Sequence, residues 1–179
     1  AVQQIAASLE TNTTLTELDL SGNDISGYGA ASIAASLAKN MTLKMLDLTG
    51  NRIGDDGAFL LALALATNSS MTDLSVAANR ITYKGASRFV TAFEQNVSLT
   101  TLNTAGNSIS VDLADRLTTA LERNKAGLRV LAVRCIRAED GSLQLVCSDM
   151  AGVEVISLQL SPSESCEAFF AEVARQLAF

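Results

Sequence analysis

The chain has 179 residues, of which 48% are hydrophobic and 18% are charged, and it contains a single proline. Enough apolar surface is therefore available to form a packed core, and this composition argues against disorder. The formal charge of −6 argues against a general binder of nucleic acids or of anionic membranes, because both functions require a basic surface.

A constant repeat period organises the chain from its first helix onward. Residues 1–11 fit the second half of a repeat, with Ile5 and Leu9 in the phase of Ile33 and Leu37. This predicts an amphipathic helix in an array that continues upstream. Five evenly spaced asparagines follow and mark the period: Asn12, Asn40, Asn68, Asn96 and Asn124. They divide residues 12–123 into four full repeats.

The first half of each repeat predicts a short strand and a turn. Its pattern is L-x-x-L-x-L-x-x-N-x-I, in which the alternation of Leu18 and Leu20 predicts a strand with both leucines pointing inward. The asparagine that follows is expected to bind backbone groups that the turn leaves unpaired. We expect these asparagines to stack as a structural ladder formed by Asn23, Asn51, Asn79 and Asn107.

The second half of each repeat changes its hydrophobic period from 2 to 3.6. In the second repeat, Ala58, Leu61 and Leu65 recur on one face of a predicted helix. A single strand, loop and helix cannot bury its own apolar edge, so neighbouring repeats must stack to form a continuous core. The helices are wider than the strands, and this predicts that they lie on the convex side of a curved array.

This strand, loop and helix unit with its L-x-x-L-x-L-x-x-N-x-I pattern resembles the ribonuclease-inhibitor-like leucine-rich repeats, which include those of NOD-like receptors and of Ran GTPase-activating protein. The resemblance covers about residues 1–133. It implies an α/β horseshoe solenoid with parallel concave strands and convex helices, and recognition of a protein partner without a cofactor. Ribonuclease inhibitor carries cysteine at repeat positions that are asparagine here, so its ligand is not transferred.

The repeat pattern ends after Asn124. We therefore predict repeats over residues 1–127 and a terminal module over residues 128–179. At the start of this module a fifth strand, displaced by one residue, is predicted from Leu128, Leu131 and Val133.

The terminal module is predicted to contain three strands and a helix. Asp140 and Gly141 separate two apolar runs and are typical of a hairpin turn, and a third strand follows as VEVISLQL. Ser161, Pro162 and Glu164 then form a helix start with a capping box. The module is expected to cover the end of the solenoid. A truncated independent domain is the alternative.

The sequence carries little that could support catalysis. It contains no histidine, which removes the commonest general base and metal ligand. Cys135, Cys147 and Cys166 lack C-x-x-C spacing and are interpreted as small buried hydrophobes. We predict no catalytic residue, metal or cofactor. The alternatives are an architectural spacer and an activator of a small GTPase, with Arg52 or Arg80 supplied from a loop edge as an arginine finger.

Four N-x-[ST] sequences would suggest glycosylation in a secreted protein. They begin at Asn12, Asn40, Asn68 and Asn96 and share one phase of the repeat. Asparagine suits the turn from helix to strand, so the repeat itself explains them. A cytoplasmic location is predicted.

Two surfaces are candidates for contact with a partner. The outward strand positions form an acidic concave face, suited to lysine or arginine on a protein partner: Glu17, Asp19, Met45, Asp47, Asp73 and Ser75. On the helix of the second repeat, Phe59, Leu60 and Leu63 form an additional apolar stripe. If exposed, this convex patch is a candidate contact for a homodimer or for a missing part of the chain. Coverage by adjacent helices is the alternative.

Overall fold

A computed structural model describes residues 1–125, 132–137, 143–148 and 154–160. The chain divides into two compact units, residues 1–127 and residues 128–179. The first unit contains α1 (Val2–Thr11), β1 (Glu17–Asp19), α2 (Gly27–Leu37), β2 (Met45–Asp47), α3 (Gly54–Thr67), β3 (Asp73–Ser75), α4 (Tyr83–Phe93), β4 (Thr101–Asn103) and α5 (Val111–Lys125).

In the first unit, four short strands form one parallel sheet in the order β1-β2-β3-β4. Each strand pairs with the same phase of the next repeat, so that Leu18, Leu46 and Leu74 lie side by side. Helices alternate with the strands along the chain and pack against the helices of neighbouring repeats. This arrangement confirms the predicted α/β leucine-rich-repeat solenoid.

The core forms between repeats and not within any one of them. The leucine that opens the strand motif is 38% exposed in the first repeat at Leu15, whereas Leu43, Met71 and Leu99 are fully buried at the same phase. Each of these three has a preceding repeat packed against it. Burial of these side chains therefore depends on stacking, as expected for a solenoid.

The predicted asparagine ladder joins consecutive repeats. The Nδ2 group of Asn51 donates to Leu20 O at 2.9 Å and to Leu48 O at 2.8 Å. Its Oδ1 accepts from the backbone amides of Asn23 and Ile25 at 3.0 and 2.8 Å. Asn79 and Asn107 bind the preceding repeat in the same way. Asn23 itself is exposed and donates to Ser21 O of its own repeat.

A second asparagine ladder is buried where each helix leads into the next strand. The sequence pattern indicated these positions only as helix-terminating turns. Asn68 donates to Leu37 O at 2.7 Å and to Asn40 O at 2.9 Å. Its Oδ1 accepts from the amides of Ser70 and Met71. The buried members of this ladder are Asn40, Asn68, Asn96 and Asn124. Side-chain amides of asparagine thus connect neighbouring repeats both before and after the strands.

Small residues bring neighbouring helices close together. A Cβ atom added at Gly57 would lie 2.5 Å from Ile53 Cγ2 and 2.9 Å from Ala30 Cβ. Glycine at the start of α3 therefore allows its backbone to approach α2. Beyond this point Leu61 and Leu65 are fully buried, as their period predicted.

The second unit contains three antiparallel strands in the order β5-β6-β7: β5 (Ala132–Arg137), β6 (Leu143–Ser148) and β7 (Glu154–Leu160). Val133 lies in β5 and pairs with Cys147 of β6, in the antiparallel hairpin predicted from the two apolar runs. Leu128, Leu131, Asp140, Gly141 and the helix predicted from Ser161 lie outside the described residues.

Candidate functional site

The outward face of the repeat sheet brings the predicted acidic residues into two rows. Glu17, Met45 and Asp73 are neighbours across β1, β2 and β3, and Thr101 follows on β4. In the second row, Asp19 lies beside Asp47, followed by Ser75 and Asn103. Adjacent strands are about 4.8 Å apart, so the carboxylates of Asp19 and Asp47 are close neighbours.

Asp19 and Asp47 also have a structural function that their sequence pattern did not indicate. Asp19 Oδ1 accepts from the amide of Ser21 at 2.8 Å, and Asp47 Oδ1 accepts from that of Thr49 at the same distance. These bonds close a local turn where each strand ends. The hydrogen bonds from Ser21 hold the pKa of Asp19 below its ordinary value. One oxygen of each carboxylate is thus engaged within its own repeat.

The other members of the strand face differ in how far they are available to a partner. Met45 is 44% exposed and Glu17 is also exposed. Asp73 is half-buried, and its Oδ2 accepts from the hydroxyl of Thr72 at 2.6 Å. Ser75 is paired through its hydroxyl with that of Thr49 at 2.7 Å. Glu17, Asp19 and Met45 are therefore the exposed members of the six predicted residues.

The two loop-edge arginines have the same phase in the repeat but different surroundings. Arg52 forms an exposed ion pair with Asp24 at 2.9 Å. Arg80 is exposed and has a φ of 60°, whereas Arg52 does not have a positive φ and Gly54, two residues later, does. The structure therefore does not place the two arginines in equivalent backbone positions.

Two exposed tyrosines at the start of helices were not among the predicted site residues. Tyr28 is 87% exposed in the first turn of α2, and Tyr83 is exposed at the first residue of α4. They are the only tyrosines in the chain. Their common position near the start of a helix was the signal that could have identified them.

The carboxylate of Asp55 in α3 binds the start of the next helix. Its Oδ1 accepts from the amides of Thr82 and Gly85 at 2.7 and 3.1 Å, and its Oδ2 accepts from the hydroxyl of Thr82 at 2.7 Å. Partial burial raises the pKa of Asp55, but these bonds and the nearby charge of Lys84 outweigh it and hold the pKa below its ordinary value. Asp55 therefore links two repeats and caps α4.

On the helix side, the three residues of the predicted convex patch are not equally exposed. Phe59 is 42% exposed and Leu63 is 59% exposed, whereas Leu60 is partly buried and packs against the core. The guanidinium carbon of Arg88 lies 5.4 Å from the centre of the Phe59 ring, which is within the range of a cation–π contact. A shallow groove between α3 and α4 runs along Phe59 and Leu63.

Metal ligation and membrane insertion find no support in the described part of the chain. Within it, no group of His, Cys, Asp and Glu side chains could hold a metal ion. None of the helices described here has the length and apolar character that crossing a membrane requires.

Comparison with known families identifies the repeats. The profile described as "Leucine Rich repeat" matches residues 11–34, 39–62 and 67–90. The chain therefore contains leucine-rich repeats, and the matched segments cover the first three strands and most of the helices that follow them. No curated protein matches the chain.

Solved structures share the fold of this chain. A structure titled "Leiomodin-1 Actin-Binding Site 2 (ABS2)" is 21% identical, with a TM-score of 0.58 over 69% of this chain and 88% of its own. The tropomodulin C-terminal domain of Caenorhabditis elegans is 20% identical, with a TM-score of 0.49 over 70% of this chain and 93% of its own. At these identities, the first likeness supports the leucine-rich-repeat fold alone.

Proposed function

We propose that the chain is a protein-interaction module, with repeats of the ribonuclease-inhibitor-like kind, that binds a basic segment of a partner on the outward face of β1, β2 and β3. The observation that carries this proposal is the arrangement of four carboxylates around an exposed methionine. Met45 lies between Glu17 and Asp73 in one row, and Asp19 and Asp47 are neighbours in the next.

The charge on this face is not balanced by its own strands. The outward positions of the first three strands and of the residue two beyond each contain no lysine or arginine. Like charges on adjacent strands destabilise a sheet, and Asp19 and Asp47 are directly paired in register. A partner that places lysine or arginine over these carboxylates would relieve this repulsion and would associate faster through electrostatic attraction. Met45 would supply apolar contact at the centre.

The experiment measures binding of a synthetic peptide that carries lysines and arginines around a central leucine. The variant Asp19→Asn/Asp47→Asn removes two charges and keeps the turns, because Asn103 already makes the same bond to the amide of Ala105 at 3.1 Å. We expect this variant to bind about tenfold more weakly, which corresponds to the loss of two exposed ion pairs.

The matched control removes two charges from the helix side. Glu94 directly follows α4 and Glu122 lies in α5, and both are exposed. Glu94→Gln/Glu122→Gln therefore changes the net charge by the same amount as Asp19→Asn/Asp47→Asn. We expect this control to bind like the unmodified chain. Equal weakening by both variants would show that net charge alone drives binding, and no preference for the basic peptide over a glutamate-substituted one would refute the proposal.

Actin is one specific protein to include in this test. The structure of leiomodin-1 with the same fold is titled as an actin-binding site. Cosedimentation with actin filaments that is lost in Asp19→Asn/Asp47→Asn would identify actin as the partner of the strand face. Cosedimentation that is unchanged in this variant would place actin on another surface and count against the strand face.

We also propose that the chain acts in the cytoplasm. Asn40, Asn68 and Asn96 begin N-x-[ST] sequences, yet each is at most 3% exposed. Both hydrogens of their side-chain amides are directed to backbone oxygens of the preceding repeat. A glycan attached to any of these nitrogens would prevent the repeats from stacking. A compartment without glycosylation is therefore the one in which this sequence can fold.

A further inference from the structure

The outer surfaces of the second and third helices differ from those of the later ones. Between Gly27 and Ala38, and again between Gly57 and Thr67, the sequence contains no charged residue. Exposed helix faces of soluble proteins normally carry charges. By contrast, the outer positions of α4 and α5 include Lys84, Arg88, Asp112, Asp115 and Arg116. Beyond the first turn of α3, which contains Asp55 and the exposed Asp56, the helices α2 and α3 therefore present a surface without charged residues of their own.

This uncharged surface has a ridge beside a trough. Phe59 and Leu63 project from α3, and Leu60 supports this ridge by packing against the core. One repeat earlier, α2 carries alanine at both equivalent positions, Ala31 and Ala35. The strands of the two repeats pair in phase, and α3 approaches α2 closely where Gly57 meets Ala30, so the large side chains of α3 follow beside the small ones of α2.

We propose that a second copy of this chain binds on the surface formed by α2 and α3. A two-fold axis parallel to the helices and between them places α3 of each copy opposite α2 of the other. Phe59 then packs on Ala31 of the second copy, and Leu63 packs on Ala35. Such an interface uses the same patch on both copies, as two-fold symmetry requires, and ridges packed into small-residue grooves are the usual geometry of helix contacts.

The distribution of charge favours a second copy as the occupant. The chain carries a net charge of −6, and two copies that approached through their strand faces would bring Glu17, Asp19 and Asp47 together with the same residues of the other copy. The α2 and α3 surface reduces this repulsion, because its own residues are neutral beyond the first turn of α3 and the charge next to Phe59 is the cation of Arg88. Burial of Phe59 and Leu63 would supply the apolar contribution. The proposal does not depend on what the strand face binds.

The experiment is sedimentation equilibrium of the whole chain over a range of concentrations. Leu63→Asp and Ala35→Lys each place a charge at the same contact, and both positions are exposed, so folding should be retained. We expect each variant alone to dimerise at least about tenfold more weakly, because it buries an unpaired charge. An equimolar mixture of the two variants should recover dimerisation, because the introduced aspartate of one chain then meets the introduced lysine of the other.

The control is Val111→Ser, which removes an exposed apolar side chain at the start of α5 and leaves the proposed surface intact. It should dimerise like the unmodified chain. A chain that is monomeric at every concentration, or dimers that neither variant weakens, would overturn the proposal. Weakening by each variant without recovery in the mixture would also overturn it, since the Leu63 to Ala35 contact would then be absent.

Discussion

The second and fourth repeats have the same order of strand and helix but differ in which outward positions are charged. In the second, the outward strand positions include Asp47 beside Met45, while helix α3 carries no charge beyond its first turn. In the fourth, the outward strand positions are the uncharged Thr101, Asn103 and Ala105. Its helix carries the charge instead: Asp112, Asp115, Arg116, Glu122, Arg123 and Lys125. The two repeats thus differ in which of their outward positions are charged.

The inward side chains of the same two repeats also differ in how completely they are buried. Leu46 and Leu48 are fully buried in the second repeat, whereas the fourth has a half-buried Leu102 and has Thr104 in place of the second leucine. The fourth repeat also lies outside the segments that match the leucine-rich-repeat profile. Stacking therefore fixes which positions face inward, while the outward residues are free to differ. The proposed contacts with partners use these outward residues.

The largest loss of stability is expected from substitutions in the asparagine ladder. Asn51→Ala leaves the amides of Asn23 and Ile25 and the carbonyl of Leu20 without their partner. Because Asn51 is buried, we expect a loss of about 3 kcal/mol in the free energy of unfolding. Asn107→Ala removes equivalent bonds at a half-buried site, where water can replace them, so about 1 kcal/mol is expected.

Urea denaturation of both variants measures this difference. Equal losses in the free energy of unfolding would contradict the view that the second repeat is the better packed of the two. A matched substitution is available in Asn23→Ala, because Asn23 is exposed and its side chain bonds only within its own repeat. It should change the midpoint less than either of the others.

A smaller effect is expected where helices begin. Helix α4 is held by Asp55 of the preceding repeat, whereas α5 begins beside its own Ser110, whose hydroxyl accepts from the amide of Leu113. The lowered pKa of Asp55 means that its ionised form stabilises the folded state. This contribution is complete above the ordinary pKa of aspartate, about 4, and is lost as the pH falls through the lower folded value.

Asp55→Asn tests this coupling between repeats. We expect it to lower the free energy of unfolding at pH 7 by about 1 kcal/mol, the usual value of a helix cap. The difference from the unmodified chain should shrink below about pH 4, where the carboxylate of the unmodified chain becomes protonated. Asp56→Asn, at the neighbouring exposed residue, is the control. A difference that stays constant over this pH range would show that the charge of Asp55 is not involved.

The sequence predicted most of the repeat architecture because its constant period determines which side chains must meet. The strands, the inward leucines and the ladder at Asn51 and Asn79 follow from this phase alone. The second ladder was not predicted, because Asn68 was interpreted from its local turn. Its bonds to Leu37 and Asn40 in the preceding repeat appear only once the repeats are stacked. The contact of Asp55 with Thr82 was missed for the same reason.

The candidate surfaces were harder to predict than the core. Alternation indicated which strand residues face outward, but it could not show that Asp19 and Asp47 each commit one oxygen to a turn. Equal phase suggested that Arg52 and Arg80 project alike, whereas their backbones differ. Such details depend on local turn geometry, which changes between repeats when glycine occupies a different position, as at Gly54.

The strand face and the helix face of the early repeats are expected to make different kinds of contact. The direct measurement is the response of the two equilibria to salt, from about 50 to about 500 mM sodium chloride, where screening becomes strong. Binding of the basic peptide should weaken by about tenfold or more, because it depends on ion pairs. Self-association should stay constant or strengthen, because it is apolar and opposed by the net charge of −6. Parallel weakening of both equilibria would contradict this expectation.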